Sequence, residues 1–260
     1  MTDAVILLAA GFLTGISTIL FGFGGGFVVV PLVYHLIAGE QHALAMHIAV
    51  ATSTTLMILN AGYASYSQWR RGALRRETVI PLFYALAGGA LIGALIATRL
   101  TDGLIRLLFI LYMLVTIIDC VWRKGFLQKT ARRPLSAATL WLGGPAIGVI
   151  AAMLGVGGSV MTVPLLRRHG YEMKYCVSAA NPLSIAIAVM GAGMYGWLGY
   201  GKVAGVGYLG YVNLGMLAWL ALSGMLGMVF ARYALPKMHD GLHARVYVWL
   251  LVLVLVSMLL

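Results

Sequence analysis

A glycine-rich break inside an apolar stretch occurs twice in this chain. The first copy is Phe21-Gly22-Phe23-Gly24-Gly25-Gly26-Phe27, and the second is Leu154-Gly155-Val156-Gly157-Gly158-Ser159-Val160, 133 positions later. At this offset, eight of the 24 positions from 11 to 34 are identical to their counterparts. The chain therefore contains an internal repeat, with an interrupted apolar helix in each half. Such breaks at matching places are typical of a substrate site near the middle of a membrane.

The composition excludes a soluble domain. Of the 260 residues, 62% are hydrophobic and only 10% are charged, whereas a soluble domain of this length needs far more polar surface. Several windows exceed 18 apolar residues, which is enough for a helix to cross a hydrocarbon core of about 30 Å. The alternation of apolar and polar residues that marks a β-barrel does not appear. We predict an all-α integral membrane protein.

The net charge of +11 does not indicate a nucleic-acid partner, because the basic residues lie in short loops between apolar segments. Such residues fix membrane topology and contact the headgroups of the lipid bilayer. Cys120 and Cys176 lie in or beside apolar segments without a partner motif, so packing is their expected role. We expect no metal site and no cofactor.

The repeat predicts three parts: a first membrane repeat at 1–122, a basic cytoplasmic linker at 123–136 and a second membrane repeat at 137–260. The apolar segments 26–38 and 159–167 are too short to cross a membrane straight. Each follows a longer apolar segment across a glycine break, so each pair is predicted to form a broken-helix unit.

Lys and Arg accumulate on the cytoplasmic side of a membrane and so decide how each broken unit crosses it. If each unit is a hairpin that returns to its starting face, 15 of the 18 basic residues share one side and 3 the other. If each unit crosses once, the split is 10 against 8. The hairpin alternative predicts two inverted-topology repeats with both termini outside the cytoplasm. We expect a multi-pass protein in the plasma (inner) membrane of a bacterium. The loops counted on the basic side are 68–77, 123–136, 167–174 and 232–245.

The glycine breaks suit an anion site. A break inside lipid frees backbone N–H groups, and the helix that follows presents the positive end of its dipole. Glycine lets a ligand approach the backbone closely. The alternative is that these glycines only allow close helix packing. The predicted backbone cradles are Gly24, Gly25, Gly26, Gly157, Gly158 and Ser159.

Polar side chains inside two apolar segments supply further candidates for substrate binding. Thr52, Ser53 and Thr54 offer hydroxyl groups in the first half, and Asn181, followed by Pro182, offers an amide in the second. Polar groups at membrane depth are usually functional or bond to a neighbouring helix. Ser and Thr can also bond back to their own helix, which is the structural alternative.

Other function classes find less support in the sequence. None of the seven acidic residues falls at the centre of an apolar segment, which argues against a carboxylate proton relay. No nucleophile–base or metal cluster with suitable spacing occurs within a segment, so we predict no enzyme and no catalytic residue. A passive anion channel, or an uptake permease for organic anions coupled to an ion, remains an alternative to an exporter. The sequence also leaves a homodimer open.

The doubled glycine motif resembles the TauE/SafE (DUF81, TSUP) sulfite exporter family. The resemblance rests on Gly22-x-Gly24-Gly25-Gly26 with Pro31, its copy Gly155-x-Gly157-Gly158 with Pro164, and Gly199-Tyr200-Gly201-Lys202. It implies a membrane transporter of small sulfur-containing anions such as sulfite or organosulfonates. The family's second-half Thr-Ser pair is replaced here by Ala179-Ala180 before Asn181, which bears on the substrate.

Overall fold

A computed structural model describes residues 2–39, 43–70, 72, 76–122, 126, 134–203, 205–235 and 238–260. Within these ranges the chain is almost entirely helical. Most of the predicted basic linker, namely 123–125 and 127–133, lies outside the described residues. The elements are α1 (Thr2–Phe21), α2 (Gly26–Ile37), α3 (Ala45–Arg70), α4 (Arg76–Ala97), α5 (Asp102–Trp122), α6 (Gly144–Leu154, preceded by a π-helical turn at Thr139–Gly143), α7 (Ser159–Arg168), α8 (Met173–Leu198), β1 (Tyr208–Leu209), β2 (Val212–Asn213), α9 (Leu214–Ala234) and α10 (Asp240–Leu259).

Seven of the described helices are long and apolar enough to cross a membrane, namely α1, α3, α4, α5, α8, α9 and α10. The prediction of an all-α integral membrane protein is confirmed. The helix α2 has 12 residues and α7 has 10, which at 1.5 Å per residue gives about 18 and 15 Å. Both are therefore too short to span the bilayer alone. The helices α3 and α8 are the most buried of the long ones and pack against each other at the centre.

One end of the helix bundle, here named the terminal end, gathers the C-terminus and the start of α5. Arg106 of α5 donates to the carbonyl oxygen of Met258 at 2.9 Å. His35, near the end of α2, bonds to the carbonyl of Ser257 at 2.6 Å. His47, at the start of α3, bonds to Asp102 and to the carbonyl of Ala97. The ends of α2, α4 and α10 therefore lie together with the starts of α3 and α5.

The opposite end, named the linker end, is held by ion pairs. Arg167 of α7 binds Asp240 at the start of α10 at 2.5 Å and donates to the carbonyl of Phe126 at 3.0 Å. Arg168 pairs with Asp119 near the end of α5. The end of α7 thus lies beside the end of α5 and the starts of α8 and α10.

Glycine contacts show the direction of α1 and α6. A methyl group on Gly11 would meet Leu220 of α9, and one on Gly15 would meet Met228 further along that helix, so α1 runs parallel to α9. Similarly, Gly148 of α6 lies against Leu86 and Ala90 of α4, with Gly144 one turn earlier on Ala85, so α6 runs parallel to α4.

These directions make each broken unit a hairpin within the bundle. The helix α9 begins at the terminal end, since Tyr211, just before it, packs its ring against His47. The helix α1 runs parallel to α9 and so starts at that end, and α2 returns to it. The helix α6 starts at the linker end, and α7 returns there. Both termini therefore lie at the terminal end. Which compartment of the cell each end faces stays a prediction.

Two aspartates hold equivalent positions in the two halves. Asp102 begins α5 and accepts a hydrogen bond from the backbone N–H of Met46 at 2.6 Å. Asp240 begins α10 and accepts one from the backbone N–H of Met173 at 2.9 Å. Met46 and Met173 stand 127 positions apart, which is the offset that aligns α3 with α8 in sequence. Each carboxylate thereby satisfies an N–H at the start of a central helix, where the dipole favours negative charge.

The close approach of α1 to α9 depends on Gly15, which has no side chain. A substitution at this position can be compared with one at a glycine that has open space around it. A methyl group on Gly15 would lie 2.0 Å from the carbonyl oxygen of Gly224, whereas one on Gly62 of α3 would meet nothing within 4 Å. We expect Gly15→Ala to lower the unfolding temperature of the purified protein. Gly62→Ala should not lower it, because Ala favours a helix by about 1 kcal/mol over Gly. Equal behaviour of the two variants would contradict this packing.

Candidate functional site

The two glycine breaks meet at the centre of the protein. A methyl group on Gly26 would lie 2.5 Å from the carbonyl oxygen of Gly155, so the two turns are in direct backbone contact. All residues from Phe21 to Phe27 and from Leu154 to Val160 are buried. The repeat therefore brings its two copies to one enclosed place between α3 and α8.

The conformation of these turns requires glycine. Gly24 and Gly25 have φ of +64° and +92°, and Gly155 and Gly157 have φ of +68° and +71°. A side chain in this left-handed region costs roughly 1–2 kcal/mol. Gly158 differs from its counterpart Gly25, since its φ is −68°. The two turns are therefore similar but not identical.

The turns leave helix N-termini uncovered. As far as the described residues show, neither α2 nor α7 has a side chain that caps its N-terminus. The first N–H groups of an α-helix have no partner within the helix. Carbonyl groups at the ends of α1 and α6 do have side-chain partners. His243 bonds to the carbonyl of Leu20, and Ser53 donates to the carbonyl of Gly155 at 3.2 Å. The first N–H groups of α2 and α7 therefore face the centre without a described side-chain acceptor.

Buried polar side chains surround the turns without protein partners. Both amide atoms of Asn60 are buried and unpaired within the described part of the chain. A methyl group on Gly25 would lie 2.7 Å from Asn60 Nδ2, so the amide faces that turn. Leaving such a group unpaired costs about 1–3 kcal/mol. Unpaired buried polar groups are therefore typical of a site that binds a ligand or ordered water. The hydroxyls of Ser159 and Ser184 and Oδ1 of Asn181 share this state.

The predicted side-chain donors differ in where they point. Ser53 lies at the site, because it bonds to the carbonyl of Gly155 in the second turn. Thr54 bonds back to the carbonyl of Val50 at 2.5 Å, as the structural alternative expects. Thr52 accepts a hydrogen bond from the backbone N–H of Asn213 at 3.0 Å, and so faces the loop before α9. Asn181 donates to Val177 at 3.3 Å within α8, which runs unbroken through Pro182.

Met57 fills the space between the two turns. Its Sδ would lie 2.5 Å from a methyl group on Gly157 and 3.4 Å from one on Gly26. Its Cγ would lie 2.5 Å from a methyl group on Gly24. Methionine is flexible and adapts to irregular gaps. The side chain therefore occupies the volume that a small ligand between the turns would need.

Sequence reasoning missed Asn60, Met57 and Ser184. Asn60 had a visible signal, since it is a lone amide within the apolar segment 43–67. Met57 and Ser184 are counterparts at the offset of 127, but a methionine and a serine in apolar helices are ordinary residues. Their proximity to the glycine turns could be seen only in three dimensions.

The unpaired amide of Asn60 predicts an unusual response to substitution. Asn60→Leu should leave the unfolding temperature unchanged or raise it, because it removes an unsatisfied polar group at similar volume. Tyr195→Phe is the matched control, since the buried Tyr195 hydroxyl donates to the carbonyl of Ala152 at 2.9 Å. That variant should lose about 1 kcal/mol of stability. A larger loss in Asn60→Leu would mean that the amide has a structural partner.

Comparison with known proteins gives matches over most of the chain. The profile of the sulfite exporter TauE/SafE family matches residues 7–258. The chain is 26% identical over 219 residues to a "Probable membrane transporter protein" of Haemophilus influenzae, covering 82% of this chain and 81% of that one. It is 22% identical over 240 residues to another protein of that description from Methanocaldococcus jannaschii, covering 89% and 88%. No solved structure gives a significant match.

The family match spans both glycine turns and all ten α-helices at least in part. The chain belongs to the sulfite exporter TauE/SafE family.

Proposed function

We propose that this membrane transporter exports small sulfur-containing oxyanions, such as sulfite or an organosulfonate, across the inner membrane of a bacterium. The observation that carries the proposal is the pairing of uncapped helix N-termini, α2 and α7, at one buried place. Backbone N–H groups and helix dipoles bind oxyanions without any charged side chain. The description of the two relatives as membrane transporters supports the class of function.

The electrostatics of the centre favour an anion. The described carboxylates lie towards the two ends of the bundle, where Asp102, Asp119 and Asp240 are engaged by His47, Arg168 and Arg167. Donors from Asn60 and Ser184 add to the N–H groups of the turns. A negative ligand beside Gly25 would meet Asn60 Nδ2, which faces that turn, and no described carboxylate. An anion that leaves a negative-inside cell moves downhill by about 2.3 kcal/mol per charge per 100 mV, so export needs no coupling ion.

Alternating access would follow from the two hairpins. In this proposal the halves 1–122 and 137–260 are inverted repeats that exchange conformations around the central site. The cradles would be Gly24, Gly25, Gly26, Gly157, Gly158 and Ser159, joined by Ser53, Asn60, Asn181 and Ser184; we no longer assign Thr52 and Thr54 a direct contact. The buried turns would correspond to a state closed to both sides. Both termini would face away from the cytoplasm, as the basic loops at the linker end favour.

Substitution of Gly25 tests the cradle. Gly25→Ala places a methyl group 2.7 Å from Asn60 Nδ2 at a φ of +92°. We expect sulfite flux into proteoliposomes to fall by at least tenfold, which corresponds to about 1.4 kcal/mol. The matched control is Gly201→Ala, which has a similar backbone strain at φ +73° but nothing within 4 Å. Its flux should stay near that of the unaltered protein.

The same proteoliposomes separate a carrier from a channel. A carrier shows saturation and is accelerated by sulfite on the opposite side, whereas a channel shows neither effect. Competition by thiosulfate, sulfoacetate and simple carboxylates ranks the substrates. Full activity of Gly25→Ala, or equal inhibition by Gly201→Ala, would contradict a role for the first turn in binding.

Met57 is expected to limit substrate size. Met57→Ala removes the side chain that lies against both turns and opens space in an otherwise close-packed interior. Larger organosulfonates such as sulfoacetate should then compete better with sulfite, by a lower inhibition constant. Ile58→Ala on the same helix is the control for general loosening. An unchanged selectivity in Met57→Ala would place the substrate elsewhere.

A further inference from the structure

A polar cavity lies at the linker end, away from the glycine turns. It has a volume of about 330 Å³ and is lined by Tyr63, Tyr66, Ser67, Arg70 and Arg232. At about 30 Å³ per water, it can hold a small hydrated anion. Two guanidinium groups, two phenol rings and a hydroxyl form its lining, and none of these residues is acidic. We name this the arginine cavity.

The two arginines of this cavity are not used in ion pairs. Arg167 and Arg168 at the same end each bind an aspartate, whereas Arg70 and Arg232 pair with no described carboxylate. Arg232 donates a long hydrogen bond, 3.5 Å, to the hydroxyl of Tyr63, and its Cζ lies 5.4 Å from the centre of the Tyr233 ring. Its Nε is buried without a partner in the described structure. The Nε of Arg106 is in the same state, but Arg106 also donates to the hydroxyl of Tyr34 and to the carbonyl of Met258. Two guanidinium groups that face one cavity without a described carboxylate suit an oxyanion.

The cavity and the central site lie along the same two helices, α3 and α9. On α3, Asn60, Tyr63, Ser67 and Arg70 share one helical face, and this row spans about 15 Å. On α9, Gly224 lies within 3.4 Å of the Asn60 amide, measured from an added methyl group. Arg232 follows two turns later and lies at the cavity. The unpaired amide of Asn60 is therefore at one end of a polar row and the arginine cavity at the other.

The repeat shows that this cavity is not a general feature of the fold. At the offset of 127, the counterparts of Tyr63, Ser67 and Arg70 are Met190, Met194 and Trp197. Gly224 of α9 contacts Gly15, and Leu86 of α4 contacts the equivalent Gly148. Arg232 lies eight residues after Gly224, so its equivalent on α4 is Ala94, eight residues after Leu86. These residues cannot bind an anion. The basic cavity is therefore a feature of one half only.

We propose that the arginine cavity is a second oxyanion site, which captures the transported anion at the linker end and passes it towards Asn60. The inference rests on the proposed function in one respect, namely that the captured oxyanion is the transported one. A phosphate headgroup of an anionic lipid offers the same chemistry, and the lipid composition of the assay distinguishes the two sources. Capture at a basic site raises the local concentration of an anion and is weakened by salt.

The test measures radiolabelled sulfite flux in proteoliposomes of purely zwitterionic lipid and in others that contain phosphatidylglycerol. Arg232→Gln should raise the KM for sulfite about tenfold, as expected for the loss of a charge-assisted hydrogen bond, with little change in the maximal rate. The effect should appear in both lipids. Arg245→Gln removes an exposed charge of α10 near the same end but outside the cavity, and its KM should stay unchanged.

Three results would overturn the proposal: an unchanged KM in Arg232→Gln, an equal rise in Arg245→Gln, or an effect seen only with phosphatidylglycerol, which would assign the cavity to a lipid headgroup.

Thermal stabilisation by sulfite separates failure of the arginine-cavity proposal from failure of the transport function. Sulfite should still stabilise Asn60→Leu through the arginine cavity, and this residual effect should vanish when Arg232→Gln is added. If the unaltered protein carries no sulfite but keeps this pattern, the cavity stands and the transport proposal falls.

Discussion

Backbone N–H and C=O groups inside a membrane must find partners within the protein, and the rest of this structure depends on that requirement. A helix satisfies these groups along its length, but each glycine break exposes them again at the centre. The protein covers the carbonyl side of the breaks with His243 and Ser53. It leaves the N–H side, at the starts of α2 and α7, without a described side-chain cap. In the proposed function, this imbalance, and not a charged residue, would give the site a preference for anions.

At the two ends of the bundle, the repeat places an aspartate at equivalent positions. Asp102 and Asp240 hold equivalent positions at the starts of α5 and α10 and bond to the starts of α3 and α8. Their partners differ: Asp102 binds His47, whose charge depends on protonation, and Asp240 binds Arg167, whose charge is permanent. The repeat thus keeps the position of the carboxylate and changes its partner. The arginine cavity is a second case in which one half has acquired a feature that the other lacks.

The sequence predicted much of this fold because the decisive signals are local. Glycine breaks, apolar length and the distribution of Lys and Arg can all be read along the chain, and they predicted the all-α membrane class and the two hairpins. The meeting of Gly26 and Gly155 agrees with the predicted inverted repeat, in which equivalent breaks would approach one point.

Side-chain roles were harder to predict because they depend on distant partners. Thr52 faces the loop before α9 because Asn213, 161 residues later, donates to it. Thr54 bonds to its own helix, and only the geometry decides between this bond and a ligand. Asn60 could have been noticed as a lone amide, but nothing along the chain indicates that it lies beside Gly25. Met57 fills the site only because two turns from opposite halves contact it.

A direct measurement of the bound anion tests the central claim. Selenite is a heavier analogue of sulfite, and its anomalous scattering can be located in crystals of the protein. We predict a peak between the two glycine turns, within hydrogen-bonding distance of the Asn60 amide and the first N–H groups of α2 or α7, with Met57 displaced. Selenite bound only at the linker end, or turns that keep Met57 between them at saturating selenite, would contradict the account.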